Sequence, residues 1–207
     1  LDAYQTTPKI FEKPSNQTQE QYARTMAKRV EQTIQQMIVN DDSRSQLIVY
    51  RFEDGRNQPE KALEVLRAAA EKASQRLAEV EVDEDADEDE PSVELPPYYW
   101  DYVVLAEAAR KLSTTDFETA AKWYQQLIAL DLPGIPVRSE ASVFVNAGIA
   151  YEIKGDRAKA IEIWEQGVAD VDENNLDLLG WLATVRTLDE SDKQAAAVVD
   201  QFRDAVE

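Results

Sequence analysis

Two stretches of this chain can be laid on one another forty residues apart, and the register of that repeat constrains the fold more than any other feature. The first, "YYWDYVVLAEAARKLSTTDFETAAKWYQQLIALDLP", starts at Tyr98, and the second, "ASVFVNAGIAYEIKGDRAKAIEIWEQGVADVD", starts at Ala141. Asp116 falls on Asp156, Ala120 on Ala160 and Tyr124 on Trp164. Each stretch reads as a helix, a turn and a second helix. The alanine near the start of each second helix lets it approach its predecessor closely, and the aromatic ring one turn later fills the space beside it. Ala147 and Gly148 offer the matching notch on the first helix, with Tyr151 packing one turn on. Helices joined by so short a turn pack antiparallel. One hairpin cannot bury its apolar face alone, so successive hairpins must stack into a continuous core.

The flanking segments extend the pattern. Residues 1–16, with Pro8 and Pro14, have no sustained period and read as an extended arm. Tyr22, Met26, Val30, Ile34 and Met37/Ile38 recur at three- and four-residue steps and predict a helix from Gln17 to Ile38. "NDDSRS" supplies a turn with an N-cap at Asp42 or Ser43. The run Gln46 to Phe52 fits a strand as well as a helix. Helix is the reading adopted, because a lone strand among helices would have no partner. Gln58 to Val80 opens with an early proline and places Ala62, Leu63, Leu66, Ala69 and Ala70 on one side. Residues 17–80 therefore form N-terminal helices. Residues 81–97 form an acidic, disordered loop, and 98–207 form repeats closed by a polar helix that bears Asp192, Lys193, Asp200, Arg203 and Asp204. A wet outer face suits the end of a stack. Leu179 and Gly180 take the close-contact place in this last pair. Trp123, Trp164 and Trp181 are expected in the core, as are two of the four rings in "YYWDY".

The repeat from Ala141 resembles the tetratricopeptide repeat (TPR) family. In a unit of about 34 residues, Phe144, Ala147, Gly148, Tyr151, Ala160, Trp164 and Gly167 stand at the family's Trp, Leu, Gly, Tyr, Ala, Phe and Ala positions. Asp172 replaces the terminal proline. The preceding unit keeps Ala120 and Tyr124 but not the first-helix glycine and tyrosine, and Ala62 and Leu66 mark a weaker copy. The resemblance implies an all-α fold, a TPR-like α-solenoid of stacked antiparallel helix hairpins. It further implies a non-catalytic protein–protein interaction module, an adaptor or assembly factor that binds a protein or peptide on the surface lined by first helices.

Composition narrows the remaining classes. The chain has 41 acidic and 22 basic side chains and a formal charge of −19, with no Lys/Arg cluster, which argues against nucleic acid and anionic lipid as partners. It favours a partner with a basic surface. Cysteine and histidine are absent, which removes thiolate chemistry, the usual zinc ligands and the commonest general base. No cofactor or metal is expected. Nine of the negative charges fall between 81 and 94 with no positive one. Such a run reads as solvated loop, and calcium binding is its alternative, although the EF-hand spacing is missing. A carboxylate pair such as Glu152 and Glu162 would be needed for glycosidase-like catalysis, but no phosphate loop, nucleophile elbow or dinucleotide fingerprint accompanies it. Self-association through an exposed end of the solenoid, as a scaffold subunit, is the second alternative. No run is long and apolar enough for a bilayer. Without cysteine the compartment is open: cytoplasmic, or an exported or anchored domain whose leader precedes Leu1.

The outward positions of the first helix in the best repeat are Ser142, Val145, Asn146, Ile149 and Glu152. Asn146 carries the most weight, since an amide can bond both N–H and C=O of an extended peptide. A simple solvated side chain is the other reading of it. Tyr102 and Tyr99 join Asn146, Ser142, Val145 and Ile149 as candidate groove residues, because such rings anchor interfaces. Some TPR proteins clamp a terminal carboxylate with an Asn and basic neighbours. Here Tyr102, Leu105, Ala106 and Ala109 sit where the basic partners would be.

Overall fold

A computed structural model describes residues 18–80, 95–130, 132–188 and 194–206. The described residues form nine α-helices and no strand: α1 (Gln19–Val39), α2 (Ser43–Gly55), α3 (Pro59–Ala78), α4 (Tyr99–Leu112), α5 (Phe117–Ala129), α6 (Val137–Lys154), α7 (Arg157–Asp170), α8 (Leu176–Thr187) and α9 (Ala195–Val206). The expected arm (1–16) and most of the acidic loop, with its calcium alternative, lie outside the described residues, as do Asp192 and Lys193.

Local signals set the boundaries. Thr18 and Gln21 form a reciprocal capping box at the start of α1. Asp42 caps α2, Asp116 caps α5 and Asp156 caps α7, each accepting from a backbone N–H three residues on. Asn175 caps α8. Gly155 ends α6 at φ 89, a left-handed conformation that glycine adopts without a Cβ penalty. The run from Gln46 to Phe52 is helical, inside α2, as the absence of a pairing strand required.

Each helix from α2 onward packs on its neighbour in sequence, giving the hairpins α2/α3, α4/α5, α6/α7 and α8/α9. Alternate contacts add the stacking direction: α2 touches α4, α4 touches α6, and α6 touches α8. The first helices therefore lie side by side along one face of an all-α solenoid, with the second helices behind them. Between second helices, Ser74 of α3 and Gln126 of α5 exchange two hydrogen bonds, at 2.6 and 2.8 Å. At the α5/α6 step, Phe117 stands edge-on to Tyr151 with ring centroids 5.1 Å apart.

One continuous core runs from Leu47 in α2 to Val185 in α8. Its tightest point is the α6/α7 hairpin. Gly148 presents its backbone to Trp164 so closely that a Cβ there would lie 2.1 Å from the indole Nε1. Gly167 is also confined, though less tightly, since a Cβ on it would lie 2.8 Å from that of Phe144. Trp123 and Trp164 are buried as expected.

Trp181 is not in the core: it is 37% exposed and lies flat on Trp164, with ring centroids 5.5 Å apart and planes inclined by 16°. The reason is its place in the last hairpin of the described residues, among which no further pair of helices covers α8. Gly180 is likewise no close-contact notch, because a Cβ would meet only Phe202, at an ordinary 3.6 Å. α9 contains no fully buried residue, and Arg203 pairs with Asp200 at 3.0 Å. On α1 only Ile34 is fully buried, and Val30 and Ile38 of the predicted stripe stay exposed.

The cap at Asp42 gives a direct stability test. Hydrogen bonds from Ser45 hold its carboxyl below the usual carboxylate value. A group whose folded pKa is depressed stabilises the fold above its unfolded pKa and loses that contribution as pH falls through the folded value. Asp42→Ala should therefore lower stability by about 1 kcal/mol at neutral pH. The difference from the native protein should shrink as pH drops below about 4, which urea melts at two pH values would show.

Candidate binding groove

The face made by the first helices contains two clefts that share Ser139, Ser142 and Asn146. The first, about 250 Å³, lies between α2, α4 and α6 and is walled by Arg51, Tyr99, Tyr102, Val103, Ala106, Glu107, Arg110 and Val143, with Tyr124 of α5 behind them. The second, about 400 Å³, lies between α6 and α8 and adds Arg138, Val145, Asn175 and Asp177. Asn146 thus sits on the ridge between them, half-buried. Its Nδ2 donates to the Ser142 carbonyl at 2.7 Å. That bond uses one amide hydrogen and leaves the other, with the amide oxygen, for a ligand.

The other expected groove residues divide. Ser142 is exposed and lines both clefts, although its hydroxyl donates to the Ser139 carbonyl at 2.8 Å. Val145 lines the second cleft and is half-buried. Ile149 is half-buried against the core and lines neither cleft. Tyr99 lines the first cleft, half-buried, with its ring edge-on to Trp100 at 5.3 Å. Tyr102 also lines the first cleft, as a buried residue. It is only 4% exposed, and burial pushes its phenol pKa well up, with the Glu140 carboxylate adding to the effect. Its ring forms a wall rather than a free anchor, because α4 is enclosed by the hairpins on both sides of it.

Three charged groups complete the first cleft. Glu107 takes the Arg110 guanidinium in a two-point contact, Nε to Oε2 at 3.0 Å and Nη2 to Oε1 at 2.8 Å, and also accepts from Tyr50 Oη at 3.3 Å. Arg51, on α2, is exposed and makes no hydrogen bond or ion pair among the described residues. These residues were not legible as a set, since Glu107 and Arg110 come from α4 and Arg51 from α2. The one pointer was the repeat register, which puts Tyr124 where the next hairpin has Trp164.

A wider opening of about 570 Å³ lies beside the start of α2, lined by Arg44, Arg76, Trp100 and Asp101 among others. Three of its polar groups are engaged with one another. Arg76 donates to Asp101 Oδ1 through Nε at 3.0 Å and through Nη2 at 2.6 Å, and to Ser43 Oγ at 2.8 Å, while Ser43 also donates to Asp101. This network ties α2, α3 and α4 together.

Glu152 and Glu162 are each engaged by a neighbouring cation. Glu152 is bound to Arg157 through Nη2 at 2.6 Å, and Glu162 to Lys159 at 2.6 Å. Among the described residues no group of acidic side chains is arranged to hold a metal ion, and no helix is long and apolar enough to cross a membrane.

Neither a protein-family model nor a curated protein matches the chain. The class is therefore defined by the architecture itself: an all-α solenoid of helix hairpins with a polar-ridged groove along its first helices.

Proposed function

We propose that the protein is a TPR-like, non-catalytic interaction module that binds a protein or peptide segment in extended form along the groove, as an adaptor or assembly factor. The observation that supports this most is the position of Asn146 on the ridge shared by the two clefts, with amide capacity left over. An extended chain passing from one cleft to the other crosses that amide, which can bond its N–H and C=O at once. Val103, Ala106 and Val143 below, and Tyr99 beside, supply apolar contact. The formal charge of −19 raises the encounter rate with a basic partner.

Affinity capture with the native groove and with Asn146→Ala plus Tyr99→Ala tests the reading. Tyr102 is unsuited to substitution, because its burial would confound binding with folding. The double variant should lose the captured partner by about tenfold or more in affinity. Equal capture by both baits would refute the location.

Self-association as a scaffold subunit is the second reading, supported by the exposure of Val30, Ile38 and Val39 on the terminal helix α1. Light scattering coupled to size-exclusion chromatography decides it: a monomer across the accessible concentration range excludes the scaffold.

A further inference from the structure

Tyr124 and Trp164 hold the same place in successive hairpins, yet their polar atoms fare differently. Trp164 Nε1 donates to the Val145 carbonyl at 3.2 Å. Tyr124 is just as buried, at 1% exposure, but its hydroxyl has no hydrogen-bond partner among the described residues. Buried polar groups are nearly always paired, and an orphan destabilises the fold. Tyr124 lines the cleft of about 250 Å³, and the charged groups that act on its phenol are Arg110 and Glu107, both lining the same cleft.

The donors and acceptors around that hydroxyl do not balance. Glu107 is the cleft's one carboxylate, and Arg110 and Tyr50 already occupy its oxygens. The donors left over are the Tyr124 hydroxyl, the Arg51 guanidinium, the outer N–H groups of Arg110 and the second amide hydrogen of Asn146. Two guanidinium groups against one carboxylate leave a local surplus of one positive charge, in a protein whose formal charge is −19. A small acceptor with a single negative charge satisfies both shortfalls. A phosphate would bring more charge than the surplus can neutralise, and a neutral amide would bring none.

We infer that this cleft is a subsite for the carboxylate of an aspartate or glutamate side chain in the bound peptide, held by Tyr124, Arg51 and Arg110; the inference rests on the reading of the groove as a peptide site. The acidic side chain fixes the register of the peptide. The negative field over the rest of the surface selects basic residues on either side of it.

The test uses the full chain with 13C-labelled tyrosine, titrated by NMR with N-acetyl-glutamic acid amide, with N-acetyl-glutamine amide and with inorganic phosphate. The glutamate probe is expected to move the Tyr124 ring and the arginine Nε–H signals, with the glutamine probe about tenfold weaker. Tyr124→Phe should weaken the glutamate probe by about tenfold while raising the melting temperature of the free protein, since it removes the orphan hydroxyl without changing shape. Arg51→Ala, at an exposed position, should weaken the same probe. Equal response to glutamate and glutamine, equally strong binding of phosphate, or undiminished glutamate binding in Tyr124→Phe would overturn the subsite. A terminally blocked random peptide library separates the two readings. Selected peptides that depend on Asn146 but show no acidic preference keep the groove and remove the subsite. Glutamate-probe binding with no selected peptide would overturn the groove reading and, with it, the assignment of the carboxylate to a peptide side chain.

Discussion

Replacing Trp164 with alanine is expected to destabilise the protein by about 4 kcal/mol, the largest loss from any single side chain in the stack. The ring is fully buried, among the largest side chains in the core to be so. It contacts the backbone notch at Gly148 on one side and the Trp181 ring on the other, and it satisfies the Val145 carbonyl through Nε1. Truncation therefore removes apolar burial, opens a cavity between α6, α7 and α8, and breaks one hydrogen bond. In a solenoid each hairpin is stabilised by its neighbours, so the loss should appear as early unfolding of the C-terminal hairpins rather than as a uniform shift. Urea unfolding followed by circular dichroism and tryptophan fluorescence would show it. Trp181→Ala is the control, because that ring is 37% exposed and should cost well under half as much. Equal losses from the two substitutions would show that the nest against Gly148 is not where the stability resides.

The parts of the fold that the sequence made legible are those where one residue's size dictates another's. Gly148, Ala160 and Trp164 announce a close helix crossing, because a small residue and a large ring at fixed spacing have few other packing uses. The helical state of residues 46–52 followed from an argument about partners rather than from the segment itself. Position in the stack was harder to read. Tyr102 has the spacing of a groove residue but is buried, since α4 is an interior helix that packs on α2, α3, α5 and α6 and hides more than one face. Trp181 has the spacing of a core residue but is open, since among the described residues no hairpin beyond α8/α9 covers α8. Periodicity reports which face of a helix is apolar, and only the number of neighbouring hairpins decides how much of that face is covered. The same limit hid Arg51, Arg110 and Tyr124, which converge only when three helices are stacked in register. Asn146 was legible because it lies on the outward face of the repeat whose register was clearest.

Gly148→Ala should destabilise the protein by about 3 kcal/mol, although the same change inside an unconstrained helix would stabilise it by about 1 kcal/mol. The sign is decided by space. An added Cβ would lie 2.1 Å from Nε1, 2.3 Å from Cε2 and 2.7 Å from Cδ1 of Trp164, all well inside van der Waals contact. The indole cannot swing aside, since Trp181 stacks on it and its Nε1 is tied to the Val145 carbonyl. The helices α6 and α7 must then separate, which loosens the packing around Phe144 and Gly167 as well. Gly180→Ala provides the contrast within the same protein. Its Cβ would meet only Phe202 at 3.6 Å, so the helix-propensity gain should survive and stability should rise. Combining Gly148→Ala with Trp164→Ala completes a double-mutant cycle. The alanine methyl occupies part of the space that the indole vacates, so the double variant should lose clearly less than the sum of the single losses. Strict additivity would mean that Gly148 and Trp164 do not confront one another, and the close approach of α6 to α7 would need another cause.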